Sequence, residues 1–411
     1  MYDIIIIGAG ASGMMAAITA ARCGAKTALI EHKNDIGKKV LATGNGRCNF
    51  TNKDMSATHF HGSKVLVENG LKRFNEKDCL DFFASIGIPA YDNNGYIYPN
   101  SKQASSIVSA LRMELNRLKV DIKVSSDVTG IKYDKKKNTL FHIATTTGEY
   151  SSHKLIIATG LKASAKLGSD GSIFTHINDL GHHMTHIVPA LCGFYCSGLN
   201  FKKITGVRCD ATVTSVIDNQ KCESETGELQ LADYGISGIP VFQISSEMSK
   251  ALDNRKKVCA ILDFMPSMTD MQLQDYIADR SQTTTDKRSL NEMLNGLLNN
   301  KLLLELIHAS GLSPDMKGKD LSALQIEKLT TTIKQTKVNV ECPRGLEFAQ
   351  VCAGGIKTSE IDTTSLESKL IPGLYFAGEI LDVDGICGGY NLQWAWSSGY
   401  IAGSESSKIY D

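Results

Sequence analysis

This sequence has no excess of charge of either sign: 44 lysines and arginines balance 44 aspartates and glutamates over 411 residues. A broad nucleic-acid footprint needs a basic surplus or a basic face, so the balance argues against one. No apolar run approaches the roughly 20 residues that cross a bilayer. No Cys-x-x-Cys pair occurs among the 11 cysteines, an odd number, which reads as reduced thiols in a cytoplasmic protein. His182, His183 and His186 with Cys192 could suggest a metal site, and Cys196 follows. The segment Thr185–Leu191 reads as strand and no second ligand pair follows, so no metal is expected. Internal repeats and low-complexity segments are missing too. The first strand begins at once, so no signal or transit peptide is expected ahead of it. What remains is an ordinary globular composition, 42% hydrophobic and 21% charged, long enough for two or three domains.

Into that unremarkable composition is set one specific pattern. The apolar run Tyr2–Ile7 reads as a buried strand, and Gly8-Ala-Gly10-Ala-Ser12-Gly13 follows it directly. Small residues from Met14 to Cys23 suit a helix packed close to a sheet. A second strand, Lys26–Glu31, ends in an acid. Gly8 permits a tight turn, Gly10 lets backbone approach a pyrophosphate, and Gly13 lets helix and strand pack closely. Phosphates then meet free N–H groups and the positive end of the helix dipole. Glu31 is placed to accept hydrogen bonds from an adenosine ribose. The pattern predicts dinucleotide binding on an α/β fold.

Along the chain, Lys77–Ile86 and Gln103–Leu118 carry apolar residues at helical spacing, and Asn94-Gly95 predicts a hairpin over Ala90–Tyr98. Val120–Val124, Val128–Tyr133, Leu140–Thr146 and Ser151–Ala158 read as strands. From about Pro189 the texture turns β-rich: Asp210–Ile217, Gly227–Leu231 and Lys257–Phe264 are expected strands, with one helix over Pro240–Leu252. Asp270–Asp279, Arg288–Leu298, Leu302–Ala309 and Leu321–Ile333 are expected helices, and Lys337–Glu341 a returning strand. The last 60 or so residues rejoin the first domain, through a strand in Gly373–Glu379, a glycine loop at 384–389 and a helix over Tyr390–Ser404. The division expected is 1–188 and 347–411 for one discontinuous nucleotide domain. Residues 189–267 and 336–346 form an inserted β module, and 268–335 a helical segment nested in it.

Three features select FAD over a nicotinamide dinucleotide as the resident cofactor. The strand Lys154–Gly160 ends in Ala-Thr-Gly, Glu379 offers an acid to ribityl hydroxyls, and the loop 385–389 opens a helix. That helix N-terminus suits the flavin edge where negative charge accumulates on reduction. The motifs Thr43-Gly-Asn-Gly-Arg-Cys-Asn-Phe-Thr-Asn52, Gly235-Ile-Ser-Gly-Ile-Pro240, Val351-Cys-Ala-Gly-Gly355 and Gly388-Gly-Tyr-Asn-Leu-Gln-Trp-Ala-Trp-Ser-Ser-Gly399 carry a resemblance. With them the chain resembles the bacterial FAD-binding proteins of the aminoacetone-oxidase or bile-acid 4,6-reductase-like (BaiN-like) family. The resemblance implies a glutathione-reductase-like Rossmann domain, an inserted β-barrel, a small helical domain and non-covalent FAD.

Carried over by motif, Gly8, Gly10, Ser12 and Gly13 should hold the pyrophosphate and Glu31 the adenosine ribose. Lys39, Thr43, Gly46 and Arg47 should flank the diphosphate and ribityl regions. Val128 should meet adenine through its backbone, with Thr159 and Gly160 on the same side. Gly378, Glu379, Asp382, Gly389 and Asn391 should cradle ribityl and flavin. Cys387 departs from the family pattern, and a disulfide of Cys48 with Cys387 is not expected. Trp394 and Trp396 read as core, Tyr390 as packing, and Gly354 and Gly355 as close backbone approach. The activity implied is an NAD(P)H-linked reductase of a small acceptor such as an enone, with an unsaturated steroid or bile-acid-like compound as the example the family suggests. There is no second glycine fingerprint, so a nicotinamide would dock transiently. An amine or alcohol oxidase using dioxygen, and a flavin-bound RNA-modifying or RNA-binding protein, are the competing readings. Neither proton donor nor oligomeric state is legible.

Overall fold

The computed structural model describes residues 1–135, 140–283 and 288–408. The chain forms two compact units, one from Met1–Val188 with Leu346–Asp411 and the other from Pro189–Gly345.

The first unit is built on a seven-stranded sheet. Tyr2–Ile7 lies at its centre, paired in parallel with Thr27–Ile30 on one side and with the far end of Gly148–Ile157 on the other. Ile4 to Ile7 are all buried, the continuous apolar pattern of a parallel strand covered on both faces. Asp121–Lys123 extends the sheet beyond Thr27–Ile30. The long strand Gly148–Ile157 changes partners along its length. Its first residues pair antiparallel with Leu140–Thr145, and its last three pair in parallel with Leu374–Phe376. Leu140–Thr145 and Val128–Asp134 therefore belong to the same sheet, with Val128–Asp134 as its outer strand.

Two helices from opposite ends of the chain pack face to face. The first, Ala11–Arg22, meets the terminal helix, Tyr390–Ser406. Gly399 and Gly403 make the approach possible: a Cβ on either would overlap the carbonyl oxygens of Ser12 and Ala16. Trp394 and Trp396 are almost wholly buried, as expected of core residues. Their indole N–H groups donate to the carbonyls of Gly378 (3.2 Å) and Phe50 (2.9 Å). The hairpin forms over Ala90–Pro99, with Asn94 and Gly95 both at positive φ, as a two-residue turn requires.

The second unit holds a closed six-stranded barrel, with Arg208–Ile217, Gln220–Ala232 and Val258–Asp263 among its staves. The helices Asp270–Thr283, Asn300–Ala309 and Ala323–Lys334 lie between the last two barrel strands in sequence. Buried Lys334 ties them to the barrel, pairing with Asp263 at 2.7 Å.

Three expectations are corrected. The helix over Pro240–Leu252 is two, Ile239–Gln243 and Ser245–Asp253. Ser245 Oγ donates to the Phe242 carbonyl and accepts from Leu191 N–H, an alternative to the helical ladder. The helix over Arg288–Leu298 shrinks to Leu290–Met293, and Gly296 at φ 91 turns the chain beyond it. Thr185–Leu191 is strand only at Val188–Ala190. Lys64–Arg73, capped by Ser63, and the shorter helices Lys38–Ala42 and Phe174–Asp179 went unexpected.

Two predictions follow from the packing. Gly399→Ala should destabilise the protein by about 1–3 kcal/mol or more in urea unfolding, the usual cost of overpacking; an unchanged midpoint would refute the close approach. Glu114 joins Arg22 of the first helix and Arg117, whose hydrogen bonds hold its carboxyl at about 2 despite burial. A depressed folded-state value stabilises above the unfolded value, about 4.3, and that stability is lost as pH falls from there towards 2. Glu114→Gln should be less stable at neutral pH and should lose less stability on acidification than the parent.

Candidate functional site

The glycine turn between the first strand and first helix is shaped by contact rather than by flexibility. Gly8 lies at φ 100, and a Cβ there would stand 2.6 Å from the Ala158 carbonyl oxygen. A Cβ on Gly13 would overlap the Gly8 oxygen, so both positions are closed to side chains. Gly10 is different: its Cα faces open space. It is also the N-cap of the first helix, and no side chain caps the N–H groups there. An open approach to an uncapped helix N-terminus is a place for an anion.

Glu31, at the end of the second strand, closes one side of this turn. Its two carboxylate oxygens accept from the N–H groups of Ala9 and Lys33, each at 2.8 Å. The Ser126 N–H donates to the Glu31 carbonyl (3.0 Å) and the Ser125 N–H to that of Lys33 (2.8 Å). This stitches the segment leading to Val128 beside the acid. His32 Nε2 is buried there with no hydrogen-bond partner.

On the other side of the turn the two halves of the unit meet. Ser12 Oγ donates to the Ala377 carbonyl at 3.4 Å, and Gly378 lies so close that a Cβ would overlap that hydroxyl. The next residue, Glu379, pairs with Lys39 Nζ at 2.8 Å and accepts the Cys352 N–H at 2.7 Å. A Cβ on Gly160 would lie 3.3 Å from the same carboxylate. Lys39, Gly160 and Glu379, far apart in sequence, therefore form one cluster. Thr159 is the immediate neighbour of Gly160 and donates to its carbonyl at 3.4 Å.

The terminal helix opens at Gly388-Gly389, again without a side-chain cap. Gly389 sits at φ 94, and a Cβ would stand 2.6 Å from the Thr51 carbonyl oxygen and 2.9 Å from Asn49 Oδ1. Asn49 Oδ1 is a second buried polar atom without a partner. Asn52 Nδ2 donates to the Gly388 carbonyl (2.9 Å) and Thr51 Oγ1 to buried Gln393 Oε1 (2.7 Å). The segment Thr43–Asn52 is thus fastened along the start of the terminal helix. Asn391 spends its amide on Gly385, accepting its N–H at 2.8 Å and donating to its carbonyl at 2.6 Å, so it shapes the loop.

Not every expected residue joins these clusters. Thr43 donates to the Val40 carbonyl, and Gly46 and Arg47 lie on an exposed turn with the guanidinium 6.0 Å over the Tyr98 ring. Asp382 faces Thr185 Oγ1 at 3.5 Å. Cys48 is buried completely, and burial pushes its thiol up to about 12; the Cys387 thiol is pushed equally high for the same reason. None of the 11 cysteines is in a disulfide. Tyr390 is buried against the rings of His59 (4.8 Å) and Phe60 (5.9 Å), which raises its hydroxyl to about 12. His182 and His183 both engage Glu360. Among the described residues no group of three or more His, Cys, Asp and Glu side chains is arranged to hold a metal ion.

The sequence reading missed His61 and Asp384, which pair at 3.1 Å beside the loop 385–389. It also missed Asn49, Asn52 and Ser398, the last accepting the Gly378 N–H at 2.9 Å. Asn49 and Asn52 stood inside a quoted motif, but nothing local marked their partners. The donor set as a whole fits an elongated dinucleotide. It offers an open anion seat at Gly10 and a second uncapped helix N-terminus at Gly389. It also leaves two buried atoms wanting partners, His32 Nε2 beside Glu31 and Asn49 Oδ1 beside Gly389.

Known proteins resemble the chain over its whole length. The family described as HI0933-like protein Rossmann domain matches residues 2–405. The 3-dehydro-bile acid delta(4,6)-reductase of Clostridium scindens is 42% identical over 414 residues, covering 99% of this chain and 100% of that protein. The ribosomal RNA dihydrouridine synthase of Escherichia coli is 28% identical over 408 residues, 98% of each. The crystal structure of 3-ketosteroid delta1-dehydrogenase from Sterolibacterium denitrificans shares the fold at a TM-score of 0.52 with 11% identity, covering 99% of both chains.

Burial makes a chemical prediction about the thiols. In the native protein at pH 8, Cys48 should resist a soluble disulfide reagent over the time in which exposed Cys23 and Cys222 react. Peptide mapping would read this, and labelling of Cys48 at their rate would reopen a redox role.

Proposed function

The chain belongs to the HI0933-like Rossmann family, and on that footing we propose that it is an FAD-dependent reductase of a conjugated carbonyl compound, steroid-like in kind, drawing its electrons from NAD(P)H. The observation that carries the reading is the meeting of both chain ends. Glu31 holds Ala9 in the glycine turn, Ser12 at the other end of that turn meets Gly378, and the next residue, Glu379, pairs with Lys39. A single elongated cofactor suits that arrangement better than two separate ligands.

Within it, Gly8, Gly10, Ser12 and Gly13 would receive the diphosphate and Glu31 the adenosine ribose, with the Val128 backbone towards adenine. Lys39, Thr43, Gly46, Arg47, Thr159 and Gly160 would flank the middle. Gly378, Glu379, Asp382, Gly389 and Asn391 would form the flavin end, Asn391 by holding the loop. FAD supplies two-electron hydride chemistry; the protein binds, orients and excludes. The N-terminus of Tyr390–Ser406 favours negative charge at its uncapped N–H groups, and so favours the reduced cofactor. The lone glycine fingerprint supports transient docking of the nicotinamide rather than a second resident site. The 42% identity to a bile-acid delta(4,6)-reductase supports a steroid acceptor.

A second reading takes the acceptor to be a uracil in RNA, favoured by the relatives named ribosomal RNA dihydrouridine synthase. The C5=C6 bond of uracil is also an alkene conjugated to a carbonyl. The even charge balance weighs against RNA.

The protein should purify yellow. Glu31→Ala should weaken FAD binding by roughly 10–100-fold, the cost of a hydrogen bond to a charged group; equal affinity would remove Glu31 from the ribose. Anaerobic mixing with NADH or NADPH should bleach the flavin within seconds, and a 4,6-dien-3-one steroid should restore the colour. Bleaching by an amine alone would favour an oxidase, and recolouring only by uridine-containing RNA would favour the second reading.

A further inference from the structure

Alkene reduction needs a proton as well as a hydride, and the residues assigned so far supply none. Three acids close to the loop 385–389 are poorly suited. The Cys48 and Cys387 thiols and the Tyr390 hydroxyl all hold their protons up to about 12, and Cys48 and Tyr390 are buried. One pair of a different character remains. The strand Phe60–Gly62 runs antiparallel to Val383–Gly385, and His61 and Asp384 are register partners across it. His61 Nδ1 lies 3.1 Å from Asp384 Oδ2.

The two side chains divide their exposure. Asp384 is 2% exposed, whereas His61 is 25% exposed, so the carboxylate is fixed and the imidazole reaches solvent. The pair is rigidly placed. The Ile386 N–H donates to the His59 carbonyl at 3.0 Å, and Asn391 clasps Gly385 from the terminal helix. Asp384 is followed at once by Gly385 to Gly389, the loop that opens the helix at the proposed flavin end. A carboxylate on Nδ1 selects the tautomer whose Nε2 is left for another partner.

We infer that His61, positioned by Asp384, delivers the proton in the reduction of the conjugated alkene; this rests on the reductase reading above. The balance is simple. The β-carbon would accept hydride, with its two electrons, from the reduced FAD that the site would hold, the nicotinamide being the source of those electrons. The alkene π pair moves to the α-carbon, where a new C–H bond forms as the Nε2–H bond of the His61 imidazolium breaks, leaving a neutral imidazole whose Nδ1–H stays on Asp384. Nε2 takes up a proton from solvent at the exposed edge of the ring, restoring the imidazolium, and Asp384 keeps its negative charge. The same acid serves a 4-en-3-one steroid or a uracil, since both place the proton on the carbon next to a carbonyl; across the 6,7 bond of a 4,6-dien-3-one the hydride goes to the δ-carbon and the proton to the γ-carbon.

The test separates electron transfer from proton delivery. Holoenzyme is reduced anaerobically with dithionite and mixed with a 4,6-dien-3-one steroid or, separately, with ferricyanide, which takes electrons and no proton. His61→Gln should keep the flavin spectrum and the ferricyanide rate and reoxidise with steroid at least 100-fold more slowly, within the usual range for loss of a general acid. His61→Asn guards against a local misfit of glutamine. Reoxidation by steroid at the parent rate in either variant overturns the inference. Failure of steroid and uridine-containing RNA alike to reoxidise the parent overturns the reductase reading instead. A measurement independent of turnover checks the positioning: in a pH series of ¹⁵N imidazole spectra of the flavin-free protein, His61 should keep its Nδ1 proton throughout and lose only the Nε2 proton. Asp384→Asn should abolish that preference, and an unchanged spectrum would refute the role given to Asp384.

Discussion

The first unit depends on how closely its first and last helices approach. Gly399 and Gly403 let the terminal helix rest on the Ser12 and Ala16 carbonyls, where one methyl group would not fit. That contact sets Ser12 against Gly378, and with it the glycine turn against the second half of the unit. The sheet repeats the arrangement, with Gly148–Ile157 flanked by Tyr2–Ile7 and Leu374–Phe376. Close helix packing and parallel strand pairing thus perform one task, joining segments separated by more than 150 residues of barrel and helices.

Around that joint the polar groups are economical. Glu31 and Glu379 both spend carboxylate oxygens on backbone N–H groups, so each fixes a turn as well as offering charge. Lys39 offsets Glu379. The buried thiols stay neutral, which leaves the site's chemistry to oxygen and nitrogen groups and to whatever cofactor it holds.

Much of this was legible in sequence, because its causes are local. A glycine turn flanked by an apolar strand and a small-residue helix declares itself within 30 residues, and an Asn-Gly hairpin within ten. The FAD-binding Rossmann class followed from these and from the long family motifs. The errors have local causes too. Ser245 diverts a helix by hydrogen bonding sideways, and Gly296 ends a segment whose apolar spacing had promised more. What sequence concealed is what the fold brings together. Thr51 finds Gln393 across 342 positions, and His61 finds Asp384 across 323. A histidine in a polar stretch and an aspartate before a glycine loop carry no mark of each other. Asn391 was visible as a motif residue, but only the fold reveals that its amide grips Gly385.

The interrupted build of the first unit governs when it can mature during synthesis. By the time Gly345 leaves the ribosome, Pro189–Gly345 has every stave of its barrel, whereas the first unit still lacks the strand Leu374–Phe376 and the terminal helix. The face of the first helix that receives the terminal helix, and the edge of Gly148–Ile157 that pairs with Leu374–Phe376, must therefore wait until the final segment emerges. Nascent chains stalled before Gly378 would expose that surface to chaperones, and cofactor loading becomes an event that follows translation.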